Sequence, residues 1–383
     1  MIKLINVVGA RPQIIKAAAI SRAIKADYAH AITDVVVHTG QHYDANMSGG
    51  FFDQLSIPAP SYNLACGSLS HAKQTALIME RFEEVLEKEQ PHAVLVYGDT
   101  NSTLAASLTA VKMGIDVLHV EAGLRSFNKS MPEEVNRIMC DHVSSMLFCP
   151  TQTAIDNLSC EGIKHHSVPG DPDRPVVYHC GDVMYDNSLH FAAVAKGNSK
   201  VMSRLGLASD QFVLFTMHRD LNTDNAQRLN AIVSAVINFV KKSGQKVVFP
   251  MHPRTSKMIK QLLEEHSYKA LYDNDKIILT EPLGFFDIIE LEKHCHLVVT
   301  DSGGVQKEAY FFEKPCVVMR PETEWVELVE GGNAVLADAD AALIEASMLQ
   351  FPGHKQLQFP PIYGDGQAAH FICQKVVEQY QQA

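Results

Sequence analysis

Residues 94–137 read VLVYGDTNSTLAASLTAVKMGIDVLHVEAGLRSFNKSMPEEVNR, and the fold class follows from how apolar runs and polar residues alternate along them. The run Val94–Tyr97 ends at Gly98-Asp99, the run Asp116–Val120 ends at Glu121, and Pro132-Glu133-Glu134 opens a helical segment that reaches Arg137. Between the two runs, Thr103–Met113 has helical composition. Short apolar strands alternating with helices predict a parallel, doubly wound sheet. In such a sheet the residues just past the carboxyl ends of the strands face the ligand crevice. Asp99, Glu121 and Glu133 are therefore expected at one crevice. Each also has an ordinary structural use. Asp99 can cap the helix that follows it, Glu133 suits the positive end of a helix dipole, and Arg137 can pair with Glu133 on the face they share with Asn136.

The rest of the chain repeats this grammar. Lys3–Val8 is a buried strand, Gly9-Ala10-Arg11-Pro12 a tight turn, and Gln13–Ala26 a helix, with Pro12 in the first turn where its missing N–H costs nothing. Arg11 and Lys16 bracket that helix start, either as contacts to an anionic ligand or as a solvated basic helix end. A strand over Asp34–Thr39 leads to Gly40-Gln41-His42, a helix spans Leu69–Glu89, and a strand spans His92–Tyr97. A short strand over Val143–Pro150 closes this half. Residues 165–179, rich in Pro, Asp and His, read as an exposed linker or insertion. The domain boundary is placed near residue 180, giving an N-terminal domain over 1–180, joined by a terminal helix within 366–383, and a C-terminal one over 181–365.

In the second half, Gln211–Met217 delivers His218 and Arg219, and strands follow at Gln245–Pro250 and Ile277–Thr280. Leu297–Thr300 runs into Asp301-Ser302-Gly303-Gly304 and a helix carrying Lys307 and Glu308. Small residues at a helix start let backbone N–H groups approach a diphosphate, and a carboxylate one turn on can reach a ribose hydroxyl. Trp325, the only tryptophan, reads equally as an apolar wall of a site or as packing under a loop.

Composition bounds the function. The 383 residues carry a net charge of -11, which argues against non-specific nucleic-acid binding, a matter of Lys and Arg neutralising phosphates. The eight cysteines, Cys66, Cys140, Cys149, Cys160, Cys180, Cys295, Cys316 and Cys373, are scattered without metal-ligand spacing. Free thiols, the absence of a signal-like opening and the absence of a membrane-length apolar run predict a cytoplasmic enzyme with no metal and no membrane partner.

Taken together, GARPQIIKAA (9–18), GDTNST (98–103), HVEAGLRSFNKSMPEEVNR (119–137), HR (218–219) and TDSGGVQKEA (300–309) resemble the non-hydrolysing UDP-N-acetylglucosamine 2-epimerase family. The resemblance implies two Rossmann-like domains facing a central cleft, a glycosyltransferase-B-like arrangement, with UDP on the C-terminal domain and a homodimeric enzyme. It implies no cofactor: the family inverts C2 of a UDP-linked 2-acetamido sugar by eliminating UDP and adding it back. Position by position, Asp99, Glu121 and Glu133 match the family's catalytic acids and His218 its histidine. Arg11, Lys16, Arg137 and Arg219 match basic groups around substrate, and Ser302, Gly303, Gly304 and Glu308 match the UDP site. Gln41 and His42 are the first candidates for a neighbouring UDP-sugar contact. Family members often read GTRPE where this chain has GARPQ, and TER where it has Thr323-Glu324-Trp325. These departures resemble the branch acting on UDP-2,3-diacetamido-2,3-dideoxyglucuronate and place sugar choice in the segments around Gln13, Leu221 and Trp325. A hydrolysing epimerase and a glycosyltransferase of the same fold are the alternatives.

Overall fold

The computed structural model describes residues 1–41, 59–166, 173–351 and 357–381. Two compact units divide them: Met1–Asn187 with Pro361–Ala383, and Ser188–Pro360. The division falls inside the helix Val183–Asn198, slightly beyond the glycine at 181 that marks the crossing in the sequence.

The first unit is built on seven parallel strands, β1 (Ile2–Val8), β2 (Ile32–His38), β3 (Tyr62–Asn63), β4 (Ala93–Tyr97), β5 (Asp116–Val120), β6 (Met146–Cys149) and β7 (Val176–His179), in the order β3-β2-β1-β4-β5-β6-β7. Every residue of β4 is buried, as expected of a strand covered on both faces. The helix Asn101–Lys112 turns Ala105, Ala106 and Ala110 into the core beside Val94, Val96 and Ile5, and such small side chains let helix and sheet approach closely. The strand β7 corrects the expectation of a loop over 165–179. Val176 lies opposite Met146, and the strand extends the sheet beyond β6. Its two valines and tyrosine favour a strand, but the Pro, Asp and His residues ahead of it dominate the composition of the stretch.

The terminal helix Ala368–Gln381 belongs to the first unit. Asp186 caps it, accepting from the N–H groups of Ala368 and Ala369 at 3.2 and 2.8 Å. The Tyr380 hydroxyl donates to Asp116 at 2.7 Å, tying the other end of the helix to β5.

The second unit repeats the plan with β8 (Phe212–Thr216), β9 (Lys246–Pro250), β10 (Ile277–Thr280), β11 (Leu297–Thr300), β12 (Cys316–Val318) and β13 (Ala334–Leu336), all parallel, in the order β10-β9-β8-β11-β12-β13. Its core joins Val213, Phe215, Val247, Phe249, Leu297 and Val299 to the apolar face of the helix Ala226–Ser243. That helix starts on an Asn225 side-chain cap and ends on Gly244 in the left-handed region.

In both units the strand order reverses at one place, between β1 and β4 and between β8 and β11. At such a switch point the loops diverge and leave a crevice. All eight cysteines are free. Among the described residues no helix is long and apolar enough to cross a membrane.

Candidate active site

In the first unit the switch point lies where β1 and β4 end. Gly9 follows β1, and a Cβ there would fall 2.0 Å from the Ser102 Oγ and 2.4 Å from the Thr39 Oγ1, so only glycine fits. Gln13, buried, holds this turn from both sides. Its Oε1 accepts from the N–H groups of Gly9 and Ala10 at 2.9 and 3.1 Å, while its Nε2 donates to the Tyr97 carbonyl and to Thr103, each at 2.9 Å. An amide both donates and accepts, which a glutamate at this position cannot do when ionised. The departure at Gln13 is therefore explained inside the scaffold, with the side chain committed to backbone.

Val96 pairs with His119 and Tyr97 with Val120, so β4 and β5 end level and deliver Asp99 and Glu121 side by side. Glu121 has φ 71°, a left-handed value uncommon for a residue with a side chain. The conformation is held by the N–H groups of Glu121 and Ala122, both donating to the Phe148 carbonyl at 3.1 Å. Thus constrained, the Glu121 carboxylate forms an ion pair with Lys16. Gly98 lies against this pair, where an added Cβ would sit 3.2 Å from the Lys16 Nζ and 3.3 Å from the Glu121 Oε2. Asp99 forms an ion pair with Arg137, and the Asn136 Nδ2 donates to the Asp99 carbonyl at 2.9 Å. Two consecutive residues of the helix Pro132–Val143 therefore grip one residue at the end of β4.

Arg137 does not use Glu133 as its partner. Its other nitrogen pairs with Glu134 at 2.5 Å, and Glu134 also accepts from the N–H groups of Ser126 and Phe127 at 3.0 and 2.9 Å. Both spacings, three and four residues, place side chains together on a helix, and here the shorter one wins because Glu134 faces inward while Glu133 is exposed. Burial works against the Arg137 charge, but Asp99 and Glu134 outweigh it and hold the guanidinium above its ordinary value. Burial likewise opposes the Glu134 charge, and the Ser126 N–H with Arg137 brings its carboxyl below the usual range.

Behind the acids lies a buried group that sequence reasoning missed. His119 on β5 is fully buried, with Nδ1 2.7 Å from Asp141 and Nε2 2.8 Å from the Gly98 carbonyl. A carbonyl only accepts, and so does an ionised carboxylate, so both ring nitrogens donate and the imidazole is charged. Burial opposes that charge, yet Cys140 and Asp141 together raise the histidine to about 10. Asp141 also accepts from the Gly123 N–H at 3.1 Å and from Arg125 at 2.7 Å. The turns after β4 and β5 are thus fastened to one buried set of charges. Its only trace in the sequence is polar residues inside otherwise apolar segments.

Arg11 is exposed at the first position of its helix. The Gln41 side chain faces inward and accepts from the Ser102 N–H at 3.1 Å and the Ser102 hydroxyl at 2.6 Å, so it anchors the loop after β2. His42 lies outside the described residues.

In the second unit Thr300 pairs with Thr216, so β8 and β11 also end level. Asp301, wholly buried, organises the turn. It accepts from the His218 N–H at 3.1 Å, the Arg219 N–H at 3.0 Å and the Asn222 amide at 3.1 Å. The His218 ring stands above it, Nδ1 3.3 Å from the Asp301 carboxylate and nearly half exposed. Burial holds that imidazole below its ordinary value, with Asp301 pulling the other way. The Arg219 Nε donates to the Asp301 carbonyl at 3.1 Å, which brings its guanidinium to Gly303: an added Cβ there would lie 3.9 Å from an Arg219 nitrogen and 3.4 Å from Arg320.

Ser302 caps the helix Gly303–Phe311, its hydroxyl accepting from Val305, while Gly304 is exposed, with an added Cβ 3.9 Å from the Ser302 Oγ. The N–H groups of this first turn and Arg219 make a cradle for anionic oxygens, while Arg320 is paired with Glu324 at 3.0 and 3.1 Å. Trp325 supports the turn from below. Only 5% exposed, it donates its indole N–H to the Gly303 carbonyl at 3.1 Å, and the Lys307 Nζ lies 4.0 Å from its ring centre. Packing under a loop is its role here. Leu221, by contrast, is exposed.

The model of the UDP-N-acetylglucosamine 2-epimerase family matches residues 24–377. The chain belongs to that family. It is 45% identical to the UDP-2,3-diacetamido-2,3-dideoxy-D-glucuronate 2-epimerase of Pseudomonas aeruginosa, over 97% of this chain and 98% of that one. Identity to the UDP-N-acetylglucosamine 2-epimerase of Methanocaldococcus jannaschii is 39%, covering 97% of each. A crystal structure of the Methanocaldococcus jannaschii enzyme in complex with UDP-GlcNAc and UDP superposes with a TM-score of 0.83 at 37% identity, covering 98% of this chain and all of that one. As in other UDP-N-acetylglucosamine 2-epimerases, the architecture of this family member is a pair of Rossmann-like domains.

Proposed function

We propose that this epimerase inverts C2 of a UDP-linked 2-acetamido sugar, reversibly and without a cofactor, for surface polysaccharide synthesis. The C2 proton is not α to a carbonyl, so direct removal to a carbanion is unfavourable. A base takes the C2 proton as the C1–O bond to UDP breaks, leaving a C1=C2 double bond in a 2-acetamidoglucal. UDP then adds back to C1 while an acid protonates C2 from the opposite face. The reaction needs acid–base groups at the sugar and donors for the departing diphosphate.

One observation carries this reading: the two switch points are furnished with these two kinds of group. Asp99 and Glu121 leave adjacent strand ends in the first unit, with Glu133 one turn before Arg137. The second unit offers the Ser302-Gly303-Gly304 helix start with His218 and Arg219. We assign Asp99, Glu121, Glu133 and His218 to the chemistry. Arg11, Lys16, Arg137 and Arg219 serve the charged parts of the substrate, the Ser302–Gly304 turn the diphosphate, and Glu308 the ribose. The family resemblance supports a homodimer, which sedimentation equilibrium tests, and eight free thiols suit the cytoplasm.

A second reading of the sugar has its own support. Identity is 45% to the diacetamido-glucuronate 2-epimerase against 39% to a UDP-N-acetylglucosamine 2-epimerase, at equal coverage of this chain. Incubation in deuterated water with each UDP-sugar in turn decides the matter. Deuterium at C2 of a UDP-linked product identifies the substrate. Release of free sugar points instead to hydrolysis, and exchange with neither sugar overturns the proposal.

A further inference from the structure

Asp99, Glu121 and Glu133 come from three separate segments: the end of β4, the end of β5 and the start of the helix Pro132–Val143. Taking a proton from one face of C2 and delivering one to the other needs such groups in fixed register. His119 and Asp141, both fully enclosed, lie where the three segments meet. From inside β5 the His119 Nε2 reaches the Gly98 carbonyl at 2.8 Å, immediately before Asp99. The Gly98 N–H donates to the Val120 carbonyl at 3.1 Å, so β5 holds both polar groups of this left-handed glycine, φ 62°. On its other side the ring reaches Asp141 at 2.7 Å, and the second Asp141 oxygen accepts from the Gly123 N–H at 3.1 Å, two residues past Glu121. Asp141 belongs to the helix that presents Glu133, and Asn136 of the same helix donates to the Asp99 carbonyl at 2.9 Å. One chain of hydrogen bonds thus runs from the residue before Asp99, through the turn after Glu121, to the helix of Glu133.

We propose that His119 and Asp141 are positioning residues that set the mutual register of Asp99, Glu121 and Glu133. This rests on the assignment of those three acids to the proton transfers. Enclosed as they are, His119 and Asp141 act through the main chain and not on the sugar. A misplacement of about 1 Å at reacting groups costs about 10²-fold in rate. Because the acids hang from different segments, loss of the relay moves them unequally. The glucal then divides differently between return to the starting epimer and inversion.

The test follows early deuterium incorporation from deuterated water at C2 of both epimers of whichever of the two UDP-sugars is turned over, with kcat and UDP affinity measured on the same proteins. His119→Gln carries its two N–H groups on one nitrogen and cannot span acceptors on opposite sides of a ring. It should lower kcat by about tenfold or more and leave UDP affinity within about threefold. It should also shift the ratio of label in the recovered starting epimer to label in the inverted one by about threefold or more. Partial unfolding lowers both labels together and leaves that ratio unchanged. Asp141→Asn preserves the relay with a neutral imidazole, its amide nitrogen donating to Nδ1 and its oxygen accepting from Gly123, and should keep the wild-type ratio with kcat within about threefold. An unchanged ratio in His119→Gln overturns the positioning role, as does a shifted one in Asp141→Asn. Normal turnover in Asp99→Asn and Glu133→Gln overturns instead the assignment on which it rests. If His119→Gln fails to fold, nitrogen NMR of histidine-labelled wild type at about pH 8, where an ordinary histidine is neutral, decides the matter. Two ring N–H groups on His119, identified by its change in Asp141→Asn, support the relay, and a single one overturns it.

Discussion

At the first switch point the carboxylates are matched with side-chain cations: Asp99 and Glu134 with Arg137, Glu121 with Lys16. At the second, the buried carboxylate of Asp301 is matched mainly with backbone N–H groups and an amide, and the cationic side chain of Arg219 is turned toward the glycine helix start. Apart from the added edge strand β7 of the first sheet, the strand order is the same, and the strand ends are level in both. The difference teaches that topology chooses where a site lies, while the partner of each carboxylate decides whether it is available for proton chemistry or spent on shaping a loop. Ion-paired acids at the mouth of a crevice can exchange one partner for a substrate. An acid saturated by backbone donors inside the fold cannot.

Replacing the acids should give the largest effect. Asp99→Asn and Glu133→Gln are each expected to lower kcat by about 10²–10⁴, with UDP affinity changed by less than about threefold, since the turn and glutamate proposed for the diphosphate and ribose lie in the other unit. Steady-state rates and calorimetry on the same preparations check this, and near-normal turnover in both variants would break the comparison. Asp301→Ala should behave in the opposite way. Three donors lose their acceptor, so stability should fall by about 3 kcal/mol and UDP binding by about tenfold or more. Urea denaturation with UDP titration reads both.

The buried charges behind the acids give a pH-dependent prediction. The His119 value is raised from 6.5 to about 10 by its surroundings, so its stabilising contribution is complete below the unfolded value and is lost as pH rises through the folded one. His119→Gln should therefore cost most stability below about pH 6.5, with the gap from wild type closing toward pH 10. Thermal melts of both proteins across that range test the sign, and a gap that widens with pH would refute the charged imidazole. The smallest effect is expected of Trp325→Phe, which keeps an aromatic ring, though a smaller one, but drops the N–H donated to Gly303. A loss of about 1 kcal/mol and a UDP affinity reduced by a few-fold are expected, measurable by melting and titration.

Much of this was legible in the sequence because parallel strands are short, apolar and followed at once by polar residues. Asp99, Glu121, His218 and the Ser302–Gly304 turn could all be placed at strand ends for that reason. Partnerships were harder to read. Glu133 and Glu134 both lie within helical reach of Arg137, and only the direction in which the helix faces its sheet selects Glu134. His119 and Asp141 read as polar interruptions of apolar segments because their spacing of 22 residues has no local periodicity. Trp325 and Gln13 stand where the family pattern varies, which suggested substrate contact. Their burial shows that part of this variation is absorbed by the frame, Gln13 through donors that a glutamate lacks.

The first unit is assembled from both ends of the chain, with Pro361–Ala383 completing what Met1–Asn187 begins. On the ribosome, the whole of Ser188–Pro360 has been synthesised before the helix Ala368–Gln381 emerges to meet Asp186 and Asp116. Domains generally fold as units during synthesis, N-terminal ones first, but here the one started first is finished last. A nascent chain therefore holds a complete second unit while the first, which carries Asp99 and Glu121, still lacks its closing helix.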